Sequence, residues 1–517
     1  MSQAMNTAIA SLGDSTPAVQ ISTVGVVTCD RHPQLMRCLN TYADNMRLYG
    51  RTPNILVADD SGDANARTAC REWLSSFSQR TQLSVFYVGL EEKLEFQQRL
   101  IEGGVPERLV RFALTNVFNV ARSPGANRNA LMLHTVGEAF LSCDDDSVCW
   151  IGDLRDGYNS VEVSPIRGSL QDIQFVGSRA RAVKEVTRCV CDLLSAHEQL
   201  LGRTLPDLAR AATSGPNDMP EKIGIRSLCD LAEERGKVVV TLTGVVGESG
   251  IPEYYHFFMS RNYQGTTRQR FLECWQAHGD VEATHSIVSG VHRPTVIQGR
   301  VATTTATGFD NRELLVPFIS SGCGEDTVFG NTLVQTMSDA YIGHVPFALL
   351  HAPPYKKPYR PLKPDFTIMD MIRVVLERST LLLGDSVKTR IKRLGQYLIE
   401  CGEADVDDFA DLLRRRAILQ LFYLIDRSEQ FLDEFKGVPA ELVDSIEKYI
   451  VALQSAIKNP GAGAPTDFGA SLSVPERYRL AQQFIKGFGE LLCWWPEMVT
   501  ETQRLKSKGV TLGKRLS

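Results

Sequence analysis

From residue 22 onward the chain alternates short apolar runs, each the length of one strand, with amphipathic stretches. TVGVVTC gives way to a polar helical segment and then to NILVADDSGD. LSVFYVGL supplies a further strand, and ANRNALMLHTVGEAF reads as a helix with Ala130, Leu133, His134 and Gly137 on its closely packing side, feeding the strand-like AFLSCDDDSVCWI. Strand, helix and strand in this order predict an α/β fold with a mixed, mainly parallel sheet flanked by helices.

The grammar loosens between residues 150 and 235, where loops surround a helix expected around 181–202, and KVVVTLTGVVG at 237–247 restores a strand. This stretch, to about residue 300, reads as an elaboration of the first domain. The sheet resumes through GRVATTTATGFD and ends near FALLH at 347–351. HAPPYKKPYRPLKP at 351–364 then interrupts regular structure, because proline lacks the amide proton and restricts its predecessor. Beyond it Ile368, Met371, Ile372, Val375 and Leu376 recur at helical spacing, as do Leu442, Val443, Ile446, Tyr449, Ile450 and Leu453. After the loop NPGAGAPTDFGA, Ser473 and Glu476 stand in capping-box spacing before the last helix. The expected organisation is a flexible tail at 1–20, an α/β domain at 21–355, a proline-rich hinge at 356–366, an all-helical domain at 367–505 and a basic, frayed tail at 506–517.

Composition narrows the function classes. At 517 residues the chain is expected to split into two or more domains, since single cores stop growing near roughly 250–300 residues. A formal charge of -5 gives no global attraction to nucleic acid or anionic lipid, so any cationic function must be local. The 12 cysteines contain no CxxC pair, which points to reduced thiols and a cytoplasmic setting. The first twenty residues lack the features of a signal peptide, and no window approaches the ~20 apolar residues of a transmembrane helix.

Three acidic groups fall at predicted strand ends or loops, where ligands of open α/β sheets bind. Asp59 and Asp60 in ILVADDSGD suit hydrogen bonds from a nucleoside, although Asp, Ser and Gly are also turn formers. Asp144, Asp145 and Asp146 repel one another unless a cation screens them; in an extended segment Asp144 and Asp146 face one ligand, and a magnesium or manganese ion carrying a diphosphate fits. Glu325 and Asp326 in SSGCGEDTVFG begin a helix after two glycines, where a carboxylate can take a proton from a hydroxyl or cap the helix. His344 and His351 are candidate nitrogen ligands that would favour manganese, with His351 preferred because it follows an apolar strand.

In order, VGVVTCDRHPQL, VADDSGD, GANRNAL before FLSCDDD, and GCGEDTVFG resemble the nucleotide-sugar glycosyltransferases of the GT-A fold, nearest the inverting family-2-like group, over residues 22–355. The resemblance implies that Thr28 and Asp60 hold the nucleoside and that Arg128 lies along the nucleotide face. It assigns Asp144 and Asp146 to a DxD pair that holds the metal, with Asp146 the preferred ligand and Asp144 nearer the ribose; a one-residue shift to Asp145 stays open. Asp326 becomes the general base, Glu325 orients the acceptor, and His351, or else His344, completes the metal shell. The implied donor is a UDP-sugar, transferred with inversion to a hydroxyl of a glycan, peptide or other acceptor.

Weaker candidates are Glu248, Asp310 and Arg312 for the acceptor and Lys356, Lys357 and Arg360 for the diphosphate. A sugar-nucleotide nucleotidyltransferase is the nearest rival, but VTCDRHPQL lacks a glycine-rich turn after the first strand. A catalytically silent scaffold is the rival from another class. The helical region is a candidate surface for self-association or for a partner.

Overall fold

The computed structural model describes residues 17–157, 161–164, 172–212, 224–250, 267–278, 285–299, 305–354, 364–377, 386–434, 438–469 and 471–516. Its strands are β1 (Ile21–Thr28), β2 (Asn54–Asp59), β3 (Val85–Val88), β4 (Glu138–Asp144), β5 (Ser147–Asp153), β6 (Glu162–Ser164), β7 (Asp172–Phe175), β8 (Thr187–Arg188), β9 (Lys237–Glu248), β10 (Ser286–Gly290), β11 (Thr295–Ile297), β12 (Ala306–Asn311), β13 (Ala340–His351) and β14 (Lys514–Leu516). The helices that shape the site and its support are α1 (His32–Leu48), α2 (Ala64–Thr81), α3 (Leu90–Glu102), α4 (Glu107–Leu114), α5 (Pro124–His134), α6 (Glu325–Thr336), α7 (Ile368–Leu376), α8 (Val387–Glu403), α9 (Val406–Glu434), α10 (Ala440–Ile457) and α11 (Val474–Ser507).

All the described strands join one mixed sheet whose main path runs β14-β3-β2-β1-β4-β12-β9-β13-β11-β6. The expected parallel pairing is concentrated in β3-β2-β1-β4, whose apolar runs are buried on both faces. Beyond β4 the sheet alternates: β12 is antiparallel to β4 and β9, and β9 is parallel to β13. Two reversals restore the original direction, so β1, β2, β4, β9 and β13 all end at the same edge. Thr28 stands opposite Asp59, Val27 opposite Asp144, and Gly247 opposite His351. That edge gathers the acidic turn and the histidine from chain positions far apart.

Helices cover both faces. Leu39, Tyr42 and Leu74 cover one side of β1 and β2. On the other side Leu131 and Phe318 belong to the same buried cluster as Phe484, Phe488 and Trp495 from α11. The Trp495 indole donates to the Leu315 carbonyl at 2.8 Å, satisfying its N–H in the core. The C-terminal helices therefore share a core with the sheet, with α11 lying against α3, α4 and α5. Ser473 and Glu476 form the capping box that starts α11, as their spacing predicts.

Two expectations are corrected. The single helix around 181–202 is two short helices, Arg179–Glu185 and Leu193–Glu198, separated by β8. The basic tail is not frayed: it returns to the edge of the sheet, where β14 pairs antiparallel with β3. Its backbone satisfies the otherwise open edge of β3, and Lys506 reaches Glu138 across the fold. No described helix is long and apolar enough to cross a membrane.

Candidate functional site

The segment GANRNAL owes its composition to the sheet edge it serves. Every residue of α5 from Gly125 to His134 is buried. A Cβ on Gly125 would lie 1.7 Å from the Ile319 carbonyl oxygen, so only glycine lets α5 approach the 319–321 backbone. Asn129 closes that approach, donating to the Ala113 and Phe318 carbonyls at 3.0 Å while accepting from the Phe318 amide at 2.8 Å. Asn127 donates to the Thr28 carbonyl at 3.3 Å and accepts from Lys93 at 2.6 Å. The helix is thereby anchored on both sides of Arg128.

Arg128 is the centre of the arrangement. Its Nε donates to Glu325 at 3.0 Å, one terminal nitrogen donates to Ser142 at 3.1 Å, and the other donates to Asp144 at 2.8 Å. It is 3% exposed, and its two carboxylate partners come from the end of β4 and the start of α6. One guanidinium fork thus joins acidic groups 181 residues apart in sequence. Asp326 follows on the same helix turn, half-buried, its Oδ1 accepting from the Thr327 amide at 2.7 Å. Burial and the adjacent Glu325 charge raise the Asp326 carboxyl well above the usual carboxylate range, against the opposing pull of Arg128. The helix is capped by Gly324 in the left-handed region at φ 84°, so Asp326 is not its N-cap.

The acidic turn is organised differently from its sequence reading. Alternate facing of Asp144 and Asp146 assumed an extended backbone, but β4 ends at Asp144 and the next two residues turn into β5. Asp144 faces Arg128, while Asp145 and Asp146 share Arg31 at 3.1 and 2.9 Å. Asp145 also accepts from the Thr28 hydroxyl at 2.7 Å. Burial and the neighbouring Asp146 push its carboxyl up to about 7, with Arg31 and Thr28 pulling the other way. Thr28 is therefore tied to Asp145, the residue that the one-residue shift singled out.

His351 closes the turn from β13. Its Nε2 lies 3.3 Å from the second oxygen of Asp146, and its Nδ1 meets the Glu248 carbonyl at 2.5 Å. Burial lowers the imidazole pKa, but the Asp146 hydrogen bond and charge outweigh it and the net shift is upward. The Ala352 amide donates to the Asp146 carbonyl at 2.9 Å, fixing the strand end to the turn. Glu248 is thus at this edge through its backbone. His344, seven residues earlier on the same strand, is removed by about 20 Å of extended chain. It is buried opposite Thr295 and Leu242, where desolvation holds its pKa down to about 4.

Other sequence candidates separate. Asp59 is 2% exposed and accepts from the Ser61 amide and hydroxyl and from Tyr87, which is the turn-forming reading. Asp60 accepts from Lys93 at 2.5 Å and Ser123 at 2.9 Å. Asp310 and Arg312 pair with each other and, through Asp310, with Lys237. Asp310 stands opposite Ala139 near the beginning of β4, at the opposite end of the strand from Asp144, so neither residue belongs to this edge. Lys356, Lys357 and Arg360 fall outside the described residues.

The sequence reading missed Arg31 and Lys93. Arg31 lies in the quoted VTCDRHPQL turn beside Thr28, and a basic residue next to a predicted strand end was the available signal. Lys93 gave none: in LEEKLEFQQRLIE it resembles any surface lysine of an amphipathic helix, yet it is 1% exposed.

Among the described residues, no group of three or more His, Cys, Asp or Glu side chains is placed to hold a metal ion. Asp146 and His351 do present one oxygen and one nitrogen donor side by side, a set suited to manganese when phosphate oxygens and water complete the shell. No protein-family model matches the chain, and no curated protein matches it.

Proposed function

We propose that the chain is an inverting glycosyltransferase of GT-A type that moves a sugar from a nucleotide diphosphate, with uracil as the expected base, onto a hydroxyl acceptor. The observation that carries this reading is the Arg128 bridge between Asp144 and Glu325, which brings the acidic strand end and the start of α6 into one cluster around a buried guanidinium. The same-edge termination of β1, β2, β4, β9 and β13 supports it, since that edge is where an α/β sheet binds nucleotides.

In this mechanism Asp326 accepts the proton of the attacking hydroxyl, and its upward-shifted pKa makes it a more effective base near neutral pH than an ordinary aspartate. Glu325, held by Arg128, orients the acceptor. Asp60, buttressed by Lys93 and Ser123, faces the nucleoside together with the Thr28 strand end. Asp146 and His351 would hold a divalent ion, which when bound supplies positive charge to the departing diphosphate. Arg31 offers a second positive charge at the same turn. Its guanidinium is placed to exchange carboxylate for phosphate partners.

The test is a panel of nucleotide sugars with and without manganese, read by thermal shift and by release of nucleoside diphosphate. One donor is expected to stabilise the protein only with metal, and Asp146→Ala is expected to abolish that stabilisation. If no donor stabilises the protein or turns over under any metal condition, the transferase reading fails and the silent scaffold takes its place.

A further inference from the structure

A cavity of about 710 Å³ lies among α7, α9, α10 and the 459–466 loop, distinct from the acidic edge. We infer that it is a binding site for an uncharged, polyhydroxylated ligand of mono- to disaccharide size. The volume falls within the roughly 300–1,000 Å³ of small-molecule sites and is far too small for a folded partner.

Its lining selects the ligand chemistry. Asp365, Asn459 and Arg477 supply planar groups that between them accept and donate, which is what adjacent hydroxyls require. Phe366, Leu421 and Tyr449 supply apolar surface for the C–H face of a ring. A lipid chain would leave the buried Nε of Arg477 unsatisfied. Among the described lining residues a phosphate-bearing ligand would meet two carboxylates, Asp365 and Asp370, against the one guanidinium of Arg477. Arg477 donates to the Ala464 carbonyl at 3.2 Å, but its buried Nε has no hydrogen-bond partner among the described residues. Asp370, by contrast, is already engaged by Thr367, Arg373 and Gln420, and the Gln420 side-chain carbonyl accepts from Arg373 at 2.9 Å, so both residues shape the wall.

The cavity shares a wall with the cap of α6, the helix that opens with Glu325 and Asp326. Met369 lines it, and the sulfur of Met369 would lie 2.3 Å from a Cβ placed on Gly324, the cap of α6. The neighbouring Ile368 packs over Gly322, and its amide donates to Asp467 at 2.6 Å. A ligand against Met369 therefore presses on the backbone that positions Asp326. Either an acceptor sugar or a regulatory sugar would use this wall.

The experiment uses the full chain labelled with ¹³C at methionine methyl groups, titrated with glucose, N-acetylglucosamine, maltose and cellobiose, with inorganic phosphate and octanoate as contrasting probes. At least one saccharide is expected to bind saturably and shift the Met369 methyl resonance, identified by its loss in Met369→Leu. Asp365→Ala and Arg477→Gln are each expected to weaken that binding at least tenfold while leaving the thermal midpoint within a degree or two. Conversion of the bound sugar on adding a nucleotide sugar would mark it as acceptor; unchanged sugar with altered donor hydrolysis would mark it as effector, and both support the site. Binding without any transferase turnover would sink the proposed function and leave this site standing. Absence of saturable saccharide binding, tighter response to phosphate or octanoate, or undiminished affinity in both variants would overturn it.

Discussion

Asp326 and Arg128 make opposite demands on the same few ångströms. Arg128 holds the buried Glu325 and the partly exposed Asp144, so removing it leaves the Glu325 charge buried without a counter-ion; Arg128→Met is expected to cost about 3–5 kcal/mol in denaturant unfolding. Arg128→Lys should recover only part of this, because a point charge cannot replace a three-way fork. Asp326 is the reverse case. Its folded pKa is raised above its unfolded value, so the protonated form is favoured by folding, and stability is lost as pH rises through the folded pKa. Asp326→Asn is therefore expected to raise the melting temperature at pH 8, by roughly 1–2 °C, with little effect at pH 4. The same change should lower transfer about 10²–10⁴-fold while donor binding persists, and should remove the acidic limb of the rate profile. Unchanged transfer would take Asp326 out of the base role.

At the scale of single elements, α5 shows how a motif and its reason can separate. GANRNAL was legible in sequence as a helix before an acidic strand end, and Arg128 was singled out there. What could not be read was that Gly125 faces the Ile319 carbonyl and that Asn129 pairs with Phe318, since both partners lie about 190 residues downstream. Gly125→Ala puts a methyl group against backbone that cannot rotate away. It should destabilise by about 1–3 kcal/mol or more, read as a lower denaturant midpoint with unchanged slope. The strand β13 teaches a related lesson. Both histidines sat on one apolar run, and only the paired register of β9 and β13 shows that His351 reaches the acidic turn while His344 is buried in the sheet. Strand ends were legible because apolar runs stop there; side-chain facing beyond them was not, because the chain turns at Asp145.

Across the whole molecule, the sheet and the C-terminal helices were expected as two bodies joined by a proline-rich stretch, a reading that rests on local composition. Composition cannot reveal that Phe484, Phe488 and Trp495 turn toward Phe112, Phe318 and Leu315. Because these side chains complete the core beneath α5, neither part buries its apolar surface alone, and cooperative unfolding follows. Calorimetry should give one transition for the intact chain, with a calorimetric enthalpy matching the van't Hoff value. Trp495→Ala, which opens a large cavity and strands the Leu315 carbonyl, should cost about 3–5 kcal/mol and lower that single transition. If the sheet and helices were independent, the variant would instead split the trace, leaving the sheet transition in place. The consequence reaches the candidate site: α11 supports α5, α5 holds Arg128, and Arg128 holds Asp144 and Glu325. Loosening Trp495 should therefore weaken metal-dependent donor stabilisation at temperatures below the melting transition, although no atom of Trp495 touches the acidic edge.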